Sequence, residues 1–228
     1  MNYTLVILGV ILLVIIYILY KVISEQGKVI SKKVDLSNSN GTISYSTLSN
    51  PKSSRYSMSI WVYIDTLNPT SQTEIFKVQN SGNNTVMRLY VDPNTTLKYE
   101  IDTTVNGIVT HEVMTNFPLQ KWAYVIISVD NKIVDLYVDG KLIRSTQLDT
   151  MPTTTSKDSN VSYGLCNSGC KGYISKFERI PRPMDPSTAW NKYMDGNGGN
   201  YFSKLLSSYG GRVTITKDDL DLRQFTLF

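Results

Sequence analysis

The chain has 228 residues and a formal net charge of +4, from 23 lysines and arginines against 19 aspartates and glutamates. Apart from a few lysines near the amino terminus the charges are scattered, so we predict no nucleic-acid partner. Two cysteines are too few to build a disulfide scaffold. The length after the first apolar segment suits one sizeable domain with its own core.

An apolar run, residues 3–20, opens the chain ahead of its first charged side chain, Lys21, and Val22 and Ile23 extend the apolar segment to residue 23. At about 1.5 Å per residue, a helix of this length crosses a hydrocarbon core of roughly 30 Å. A cleaved signal peptide would carry a basic region before the apolar run and a small-residue cleavage site after it, and neither pattern is present. We therefore predict that residues 1–23 are a retained transmembrane anchor that contacts the lipid bilayer.

The charges around this anchor predict its orientation. Lysines follow the apolar segment and none precedes it; they are Lys21, Lys28, Lys32 and Lys33. The positive-inside bias then places the remainder of the chain on the cytoplasmic side. N-glycosylation sequons begin at Asn2, Asn40, Asn83, Asn94 and Asn160. In a chain so rich in Asn, Ser and Thr that number is close to chance, so the sequons do not argue for a lumenal domain.

Residues 24–54 are rich in Ser, Asn and Lys, which predicts a stalk or a loosely attached leading strand. From Tyr56 onward, short runs rich in Val, Ile, Tyr and Thr recur between turn signals, as in β-strands. The predicted strands are Met58–Ile64, Glu74–Val78, Val86–Val91, Leu97–Thr103, Ile108–Val113, Trp122–Val129, Ile133–Val138, Lys141–Thr146, Val161–Leu165 and Gly172–Ile180. No segment with the hydrophobic periodicity of a helix separates these strands. They therefore predict an all-β fold, a two-sheet antiparallel sandwich or jelly roll.

Turn and helix signals complete this pattern. The dipeptides Asp130-Asn131 and Asp139-Gly140 accept the positive φ angles of tight hairpins, so residues 122–147 predict a meander. One short helix is predicted over residues 186–194, with Asp185 as its cap and Pro186 at its first position.

A glycine-rich break introduces a carboxy-terminal extension, residues 196–228. We predict a short helix at Tyr201–Ser208 and a strand at Arg212–Thr216 within it. Residues 220–228 then alternate apolar and polar side chains, which is typical of an added strand or of an extended arm on another surface.

Three blocks in this order resemble a known family. Residues 57–64 are similar to the early core strand of laminin-G-like and pentraxin-like domains. Residues 120–130 and 134–142 resemble the central hairpin of those domains, with its Trp and its Tyr-Val-Asp-Gly-Lys turn. Residues 171–180 and 184–186 resemble the closing strand and the start of the short helix. The resemblance is to the concanavalin A-like lectin and glucanase superfamily, and it implies a jelly roll over residues 55–195 with Trp61 and Trp122 buried.

The resemblance directs attention to carboxylates. Glycosidases of this superfamily place acid and nucleophile on one strand in an E-x-D-x-x-E pattern. Glu100 and Asp102 begin such a pattern, but Val105 occupies the third position. The single histidine, His111, has no serine or cysteine motif around it, and we predict it to be a surface residue. We therefore predict no enzymatic activity and no catalytic residues.

Two cysteines and three loop aspartates are the candidates for metal or redox chemistry. Cys166 and Cys170 could form a disulfide, part of a metal site or two thiols; zinc lacks a second ligand pair, and a cytoplasmic domain favours thiols. Related domains often bind calcium through loop carboxylates, for which Asp92, Asp158 and Asp195 are candidates, although aspartate is common in turns anyway. We predict no cofactor and no metal.

A single-pass anchor followed directly by such a domain also resembles proteins encoded by large nucleocytoplasmic DNA viruses. That resemblance implies a non-enzymatic minor capsid protein, which links the internal virion membrane, derived from a host internal membrane, to the capsid shell. Capsid proteins would then contact the jelly roll and the carboxy-terminal arm. The alternative is a membrane-displayed lectin-like module that binds a glycan or a protein ligand. Topology separates the two, because display requires a domain that faces the lumen or the exterior.

Overall fold

A computed structural model describes residues 3–24, 28–30, 33–37, 41–48, 50, 52–156, 158–163, 169–197, 212–217 and 220–226. The helices among them are α1 (Tyr3–Ser24), a 3-10 turn (Tyr45–Thr47) and α2 (Pro186–Met194). The strands are β1 (Lys28–Ile30), β2 (Val34–Asp35), β3 (Gly41–Ser44), β4 (Arg55–Thr66), β5 (Thr73–Gln79), β6 (Thr85–Val91), β7 (Leu97–Thr103), β8 (Gly107–Met114), β9 (Trp122–Asp130), β10 (Ile133–Val138), β11 (Lys141–Gln147), β12 (Asn160–Tyr163), β13 (Lys171–Ile180), β14 (Arg212–Lys217) and β15 (Leu220–Thr226).

The strands form a two-sheet antiparallel sandwich, which confirms the predicted fold. Sheet A has the order β1-β13-β4-β9-β10-β11, with β2 also paired to β13. Sheet B has the order β3-β12-β5-β6-β7-β8. Long strands β4 and β9 therefore occupy the middle of sheet A, where both edges of each are paired.

The core lies between the two sheets and is built by strict alternation along the strands. On β4, the side chains of Met58, Ile60, Val62 and Ile64 all point inward and are fully buried. Because successive residues of a strand face opposite sides, every second residue can enter the core. The cores of the two sheets meet directly, for example where Phe76 of sheet B packs edge-on against Phe177 of sheet A, with ring centroids 5.5 Å apart.

Sheet A is also covered on its outer face, by α2 and the segment before it. Trp61, Tyr124 and Tyr137 lie on this face and pack with Met184 and Ala189. The Tyr137 hydroxyl donates to the Met184 carbonyl at 3.1 Å. Trp61 is thus buried, as expected, but under α2 rather than between the sheets.

Trp122 differs from its prediction. It is only partly buried at the margin of this outer cluster, where its ring lies 5.7 Å from that of Tyr63. The expectation that Trp122 is a core residue is therefore wrong, because the strand begins here and the ring stays near the edge of the helix-covered surface.

Both predicted hairpins are present, and the second one fixes α2. Asn131, Asp139 and Gly140 adopt φ angles of 56°, 50° and 76°. A side chain at Gly140 would also meet the ring and backbone of Trp190 at 3.0 and 3.1 Å. The turn therefore requires glycine for its conformation and for its close contact with the helix.

The sandwich begins before residue 55. Residues 33–48, in the segment that predicts either a stalk or a leading strand, contribute β2, β3 and the 3-10 turn. Leu36, Ile43 and Tyr45 of this segment are buried in the main core. Their apolar side chains are widely spaced in a polar sequence, which is why the composition resembles that of a linker.

The amino-terminal apolar segment is helical over Tyr3–Ser24, and its central side chains, those of residues 8–18, are exposed. Where the structure describes the chain fully, it contains no helix with the length and apolarity needed to cross a membrane.

At the other end, β14 and β15 pair with each other as a separate two-stranded sheet. The strand predicted at Arg212–Thr216 is confirmed as β14. The added strand predicted within residues 220–228 is β15, and it pairs with β14 rather than with the edge of a main sheet. The helix predicted at 201–208 lies outside the described residues.

The cysteine prediction needs a correction. Cys170 forms a disulfide, and the chain contains one other cysteine, Cys166, which itself lies outside the described residues. Two cysteines that bracket a short loop can approach within disulfide reach, so the expectation of two free thiols is wrong.

Replacing Ile60 by alanine should lower the free energy of unfolding by about 2–5 kcal/mol, because a fully buried side chain leaves a cavity between the sheets. Leu142→Ala is the matched control: that side chain is 48% exposed and should change stability by less than about 0.5 kcal/mol. Chemical denaturation followed by tryptophan fluorescence measures both. Equal losses for the two variants would contradict the assigned core.

Candidate functional site

The outer face of sheet B carries a cluster of charged side chains. On β6, Met87, Leu89 and Val91 are buried in the core, so the residues between them, Arg88 and Tyr90, lie on the opposite face. Outward positions of the neighbouring strands β5 and β7 add the remaining charges, namely Glu74, Lys77, Lys98 and Glu100. The antiparallel register pairs Arg88 with both Lys77 and Glu100 across the strands.

Arg88 is held between two carboxylates. Its Nε donates to Glu100 Oε2 at 2.6 Å, and its Nη2 donates to Glu100 Oε1 at 2.7 Å. Its Nη1 lies 3.5 Å from Glu74 Oε2. The guanidinium also stacks 4.5 Å from the ring centre of Tyr90, whose hydroxyl donates to Glu100 Oε1 at 3.3 Å. A bidentate, stacked guanidinium of this kind has a fixed orientation.

This arrangement fixes the charge of Glu100. Burial by itself would raise the pKa of the Glu100 carboxyl, but the hydrogen bonds and charge of Arg88 outweigh it, so that the pKa is lowered. The Glu100 hydrogen bond in turn raises the pKa of Arg88. Burial, assisted by the charge of Glu100, raises the pKa of the Tyr90 hydroxyl. At neutral pH the cluster therefore holds a carboxylate, a guanidinium and a neutral phenol.

A cavity of about 630 Å³ opens beside Arg88. Its lining residues are Thr70, Ser71, Gln72, Glu74, Lys77, Arg88 and Pro93, and we call it the Glu74 pocket. The turn that forms one wall is fixed by the Asn68 side chain, whose Oδ1 accepts hydrogen bonds from Thr70 N at 2.8 Å and Ser71 N at 3.1 Å.

Two residues that line the Glu74 pocket carry buried polar atoms with no hydrogen-bond partner among the described residues. Glu74 is only 8% exposed, and its Oε1, like the hydroxyl of Ser71, is buried without a hydrogen-bond partner among the described residues. The nearest cation, Lys77 Nζ, lies 3.7 Å from Glu74 Oε1, which is beyond hydrogen-bond distance. Buried polar groups are nearly always hydrogen-bonded, so this oxygen has unused acceptor capacity beside the pocket.

The structure places the candidate catalytic residues of the sequence analysis in different surroundings. Glu100 belongs to the charged cluster, and Asp102 lies two residues further along β7. Val105 is 75% exposed in the following turn. His111, predicted to be a surface residue, is partly exposed. It falls on an inward position of β8 and stacks on the core residue Tyr99 with ring centroids 5.1 Å apart, and burial lowers its pKa.

The calcium candidates lie apart from one another. Asp92 is in the β6–β7 turn, where its carboxylate accepts bonds from Asn94 N at 3.0 Å, Thr96 N at 2.9 Å and Lys98 Nζ at 2.9 Å. Asp158 precedes β12, and Asp195 caps the end of α2. Within the described ranges, no three His, Cys, Asp or Glu side chains are grouped as metal ligands. Asp92 therefore stabilises the β6–β7 turn, which is the alternative to calcium binding that the frequency of aspartate in turns suggested.

Sequence reasoning missed Glu74 and Arg88. A signal for them exists, because each is a charged residue inside a run of β-branched, aromatic and aliphatic residues, at a position opposite to the core in the two-residue period. Their proximity, however, depends on the register between β5 and β6, which contains bulges near both ends.

A sequence model of the Concanavalin A-like lectin/glucanases superfamily matches residues 37–188. The chain belongs to this superfamily. The match begins before residue 55 and includes β3, which agrees with the early start of the sandwich. The resemblance of the central hairpin and the closing strand is thereby confirmed, whereas the more specific viral resemblance stays a prediction.

Solved structures with this concanavalin A-like fold include receptor-binding domains of neurotoxins. The botulinum neurotoxin serotype G binding domain is 15% identical with a TM-score of 0.53, over 72% of this chain and 42% of that chain. The serotype D ligand binding domain, in complex with N-acetylneuraminic acid, is 16% identical with a TM-score of 0.59, over 75% and 44%. The binding domain of neurotoxin DC, in complex with rat synaptotagmin II, is 15% identical with a TM-score of 0.55, over 72% and 42%.

This chain thus spans less than half the length of these chains, and at such identities the likeness concerns the fold. A sequence comparison with curated proteins finds no match.

The charged cluster predicts a pH dependence of stability. Because the folded-state pKa of Glu100 is lowered, its contribution is complete above the unfolded pKa of about 4.3 and is lost as the pH falls through the lower folded value. The stability difference between the wild type and Glu100→Gln should therefore be largest near pH 7 and shrink below about pH 4. Denaturation at several pH values measures it. A difference that is constant with pH would contradict the Arg88–Glu100 pairing.

Proposed function

We propose that this protein is a non-catalytic, lectin-like binding module that holds a saccharide in the Glu74 pocket. The observation that carries the proposal is the buried Oε1 of Glu74, a residue that lines a polar cavity, because this oxygen accepts no hydrogen bond from the part of the chain that the structure describes. Ligand pockets contain a small number of precisely placed polar groups, and these groups give a pocket its specificity.

The pocket chemistry matches neighbouring hydroxyl groups. One sugar hydroxyl can donate to Glu74 Oε1 while the adjacent oxygen accepts a hydrogen bond from the Lys77 ammonium or the Gln72 amide. The two carboxylates, Glu74 and Glu100, balance the charges of Lys77 and Arg88. A neutral polyhydroxylated ligand therefore suits the pocket better than a strongly charged one.

The same contacts argue for binding rather than hydrolysis. Glycoside hydrolysis requires one protonated carboxyl group as general acid and a second carboxylate placed across the bond. Here both Glu74 and Glu100 face Arg88, and the lowered pKa keeps Glu100 ionised. A carboxyl group in that state does not donate a proton at neutral pH.

Glu74→Gln should weaken saccharide binding roughly tenfold or more, because a neutral amide replaces a charge-assisted acceptor. The full chain in detergent is first screened on a glycan array, and the best ligand is then titrated by calorimetry. Glu178→Gln is the matched control, since Glu178 pairs with Lys192 at 2.7 Å on the other sheet and should leave affinity unchanged. Equal affinity in all three proteins, or no bound glycan, would reject the Glu74 pocket as the site.

We further propose that α1 anchors this module in a membrane and that the module faces an oxidising compartment or the cell exterior. Glycans are displayed there, and a disulfide such as that of Cys170 persists in an oxidising compartment. This placement is opposite to the one that the flanking lysines predict. The cytoplasmic placement, together with the minor capsid role that depends on it, stays a prediction from sequence.

The two placements give different glycosylation. Asn83 and Asn94 begin sequons in exposed turns of sheet B, so expression of the full chain in eukaryotic cells should add glycans at both sites if the module is lumenal. Endoglycosidase treatment and gel mobility detect them, with Asn83→Gln and Asn94→Gln as controls. A chain that carries no glycan would place the module in the cytoplasm and favour the capsid hypothesis.

A further inference from the structure

The last strands of the two sheets meet at one side of the sandwich. Strand β8 ends the order of sheet B, and β11 ends the order of sheet A. The two strands approach each other across the gap between the sheets. Side chains that point inward from β8 and β11 therefore determine how firmly this side of the sandwich is closed.

His111 is an inward side chain of β8. It pairs with Tyr99 of β7 across the two strands, and its ring stacks on that of Tyr99 with an interplanar angle of 27°. Tyr99 is fully buried. The Nε2 atom of His111 is itself buried and has no hydrogen-bond partner in the part of the chain that the structure describes. Burial of an unpaired ring nitrogen favours the neutral imidazole over the charged form.

Arg144 is the opposing side chain on β11. It pairs with the core residue Leu136 across β10 and β11, which places it on the inner side of sheet A. Burial is the main cause of the lowered pKa of His111, and the charge of Arg144 adds to it. The same charge acts on the Tyr99 hydroxyl. The guanidinium therefore lies within electrostatic range of both stacked rings.

The other charged groups near His111 do not supply a carboxylate partner. Asp135 on β10 acts on the Tyr99 hydroxyl but does not contribute to the lowered pKa of His111. The other charged residue of β11 is Lys141, a second cation. The remaining charged residues of β7 and β8 occupy the alternate positions, which face outward; they are Lys98, Glu100, Asp102 and Glu112. A protonated His111 would therefore face a cation without an acceptor among the described residues.

We propose that His111 and Arg144 form a pH-sensitive latch between the β8 and β11 edges. Near neutral pH the uncharged imidazole stacks on Tyr99, and this side of the sandwich stays closed. In mildly acidic surroundings the ring takes up a proton, two cations then face each other in a partly buried place, and β11 separates from β8. The Glu74 pocket lies on the outer face of sheet B, so the latch can fail or succeed independently of saccharide binding.

The direction of the pH dependence follows from the lowered pKa. A histidine in the opened chain has a pKa of about 6.5, whereas that of the closed state lies below its ordinary value. The opened state therefore binds more protons, so closure is fully favourable above about pH 6.5 and weakens as the pH falls, by at most about tenfold per pH unit. This range lies above the one in which Glu100 titrates, since the pKa of that carboxyl is lowered.

Hydrogen exchange of the full chain in detergent tests the latch, with rates at about pH 7.5 and about pH 5.5 corrected for intrinsic exchange. The amides that pair β7 with β8 and β10 with β11 should exchange roughly threefold to tenfold faster in acid, whereas those of β4 should keep their protection. His111→Phe keeps an aromatic ring on Tyr99 but cannot titrate, so it should abolish the difference. Arg144→Met should reduce the difference, because the protonated ring then faces no guanidinium.

Lys171→Met is the matched control, because it removes an exposed cation of β13, away from β11 in the order of sheet A, and should leave the acid response unchanged. A second readout needs no variant: His111 is the one histidine of the chain, so NMR can titrate its ring directly. Its pKa should lie below about 6.5 and rise in Arg144→Met. A pKa at or above that value, edge amides that do not respond to acid, or a response that persists in His111→Phe would each overturn the proposal.

Discussion

The central constraint on this molecule is that sheet A must be buried on both faces. Alternation along β4 sends Ile60 and its neighbours into the sandwich and Trp61 to the outer side. The aromatic outer surface requires a cover, which α2 supplies. The Met184 amide donates to the Ser128 hydroxyl at 2.9 Å, so the segment before α2 is bonded to β9 as well as to Tyr137. Sheet B, covered on one face by sheet A, is left with an outer face that can carry charged groups.

A buried arginine joins the early part of the chain to the end of the sandwich. Arg179 on β13 is 1% exposed, and it donates to the Asn50 carbonyl at 3.0 Å. Its guanidinium lies 4.6 Å from the ring centre of Tyr56 and 5.5 Å from that of Tyr45. Burial raises the pKa of both phenols, so they stay neutral beside the cation. Cation–π contacts and carbonyl bonds thus attach residues 45–56 to β13.

The fold was largely predictable because its signals are local. The Asp139-Gly140 turn, the period of β7 and the Asp185 cap each depend on neighbouring residues, and the structure shows all three at the predicted positions. Trp122 was misplaced and the inward position of His111 was not foreseen, because burial depends on what covers each face of a sheet, and a single strand does not reveal this.

The Glu74 pocket depends on contacts that the sequence does not encode locally. Glu74, Arg88 and Glu100 belong to three strands, and bulges in the β5–β6 pairing shift the register between two of them. These three residues are separated by 12 to 26 positions in the chain, and no spacing rule connects them, unlike the ligands of a helical metal motif. By contrast, Asp92 has the local turn contacts that its neighbours suggest.

The connection between α1 and the sandwich determines how the module responds to a pulling force. The helix is followed by β1, a strand of only three residues, which pairs with β13 at the edge of sheet A. A pulling force transmitted through α1 would reach this short pairing first, whereas β4 and β9 have twelve and nine residues and lie in the middle of the sheet. Because β1 has three residues and β4 has twelve, we expect β1 to detach under load before the sandwich opens. The edge strand would act as a releasable tether, which lengthens the connection to α1 while the Glu74 pocket stays folded.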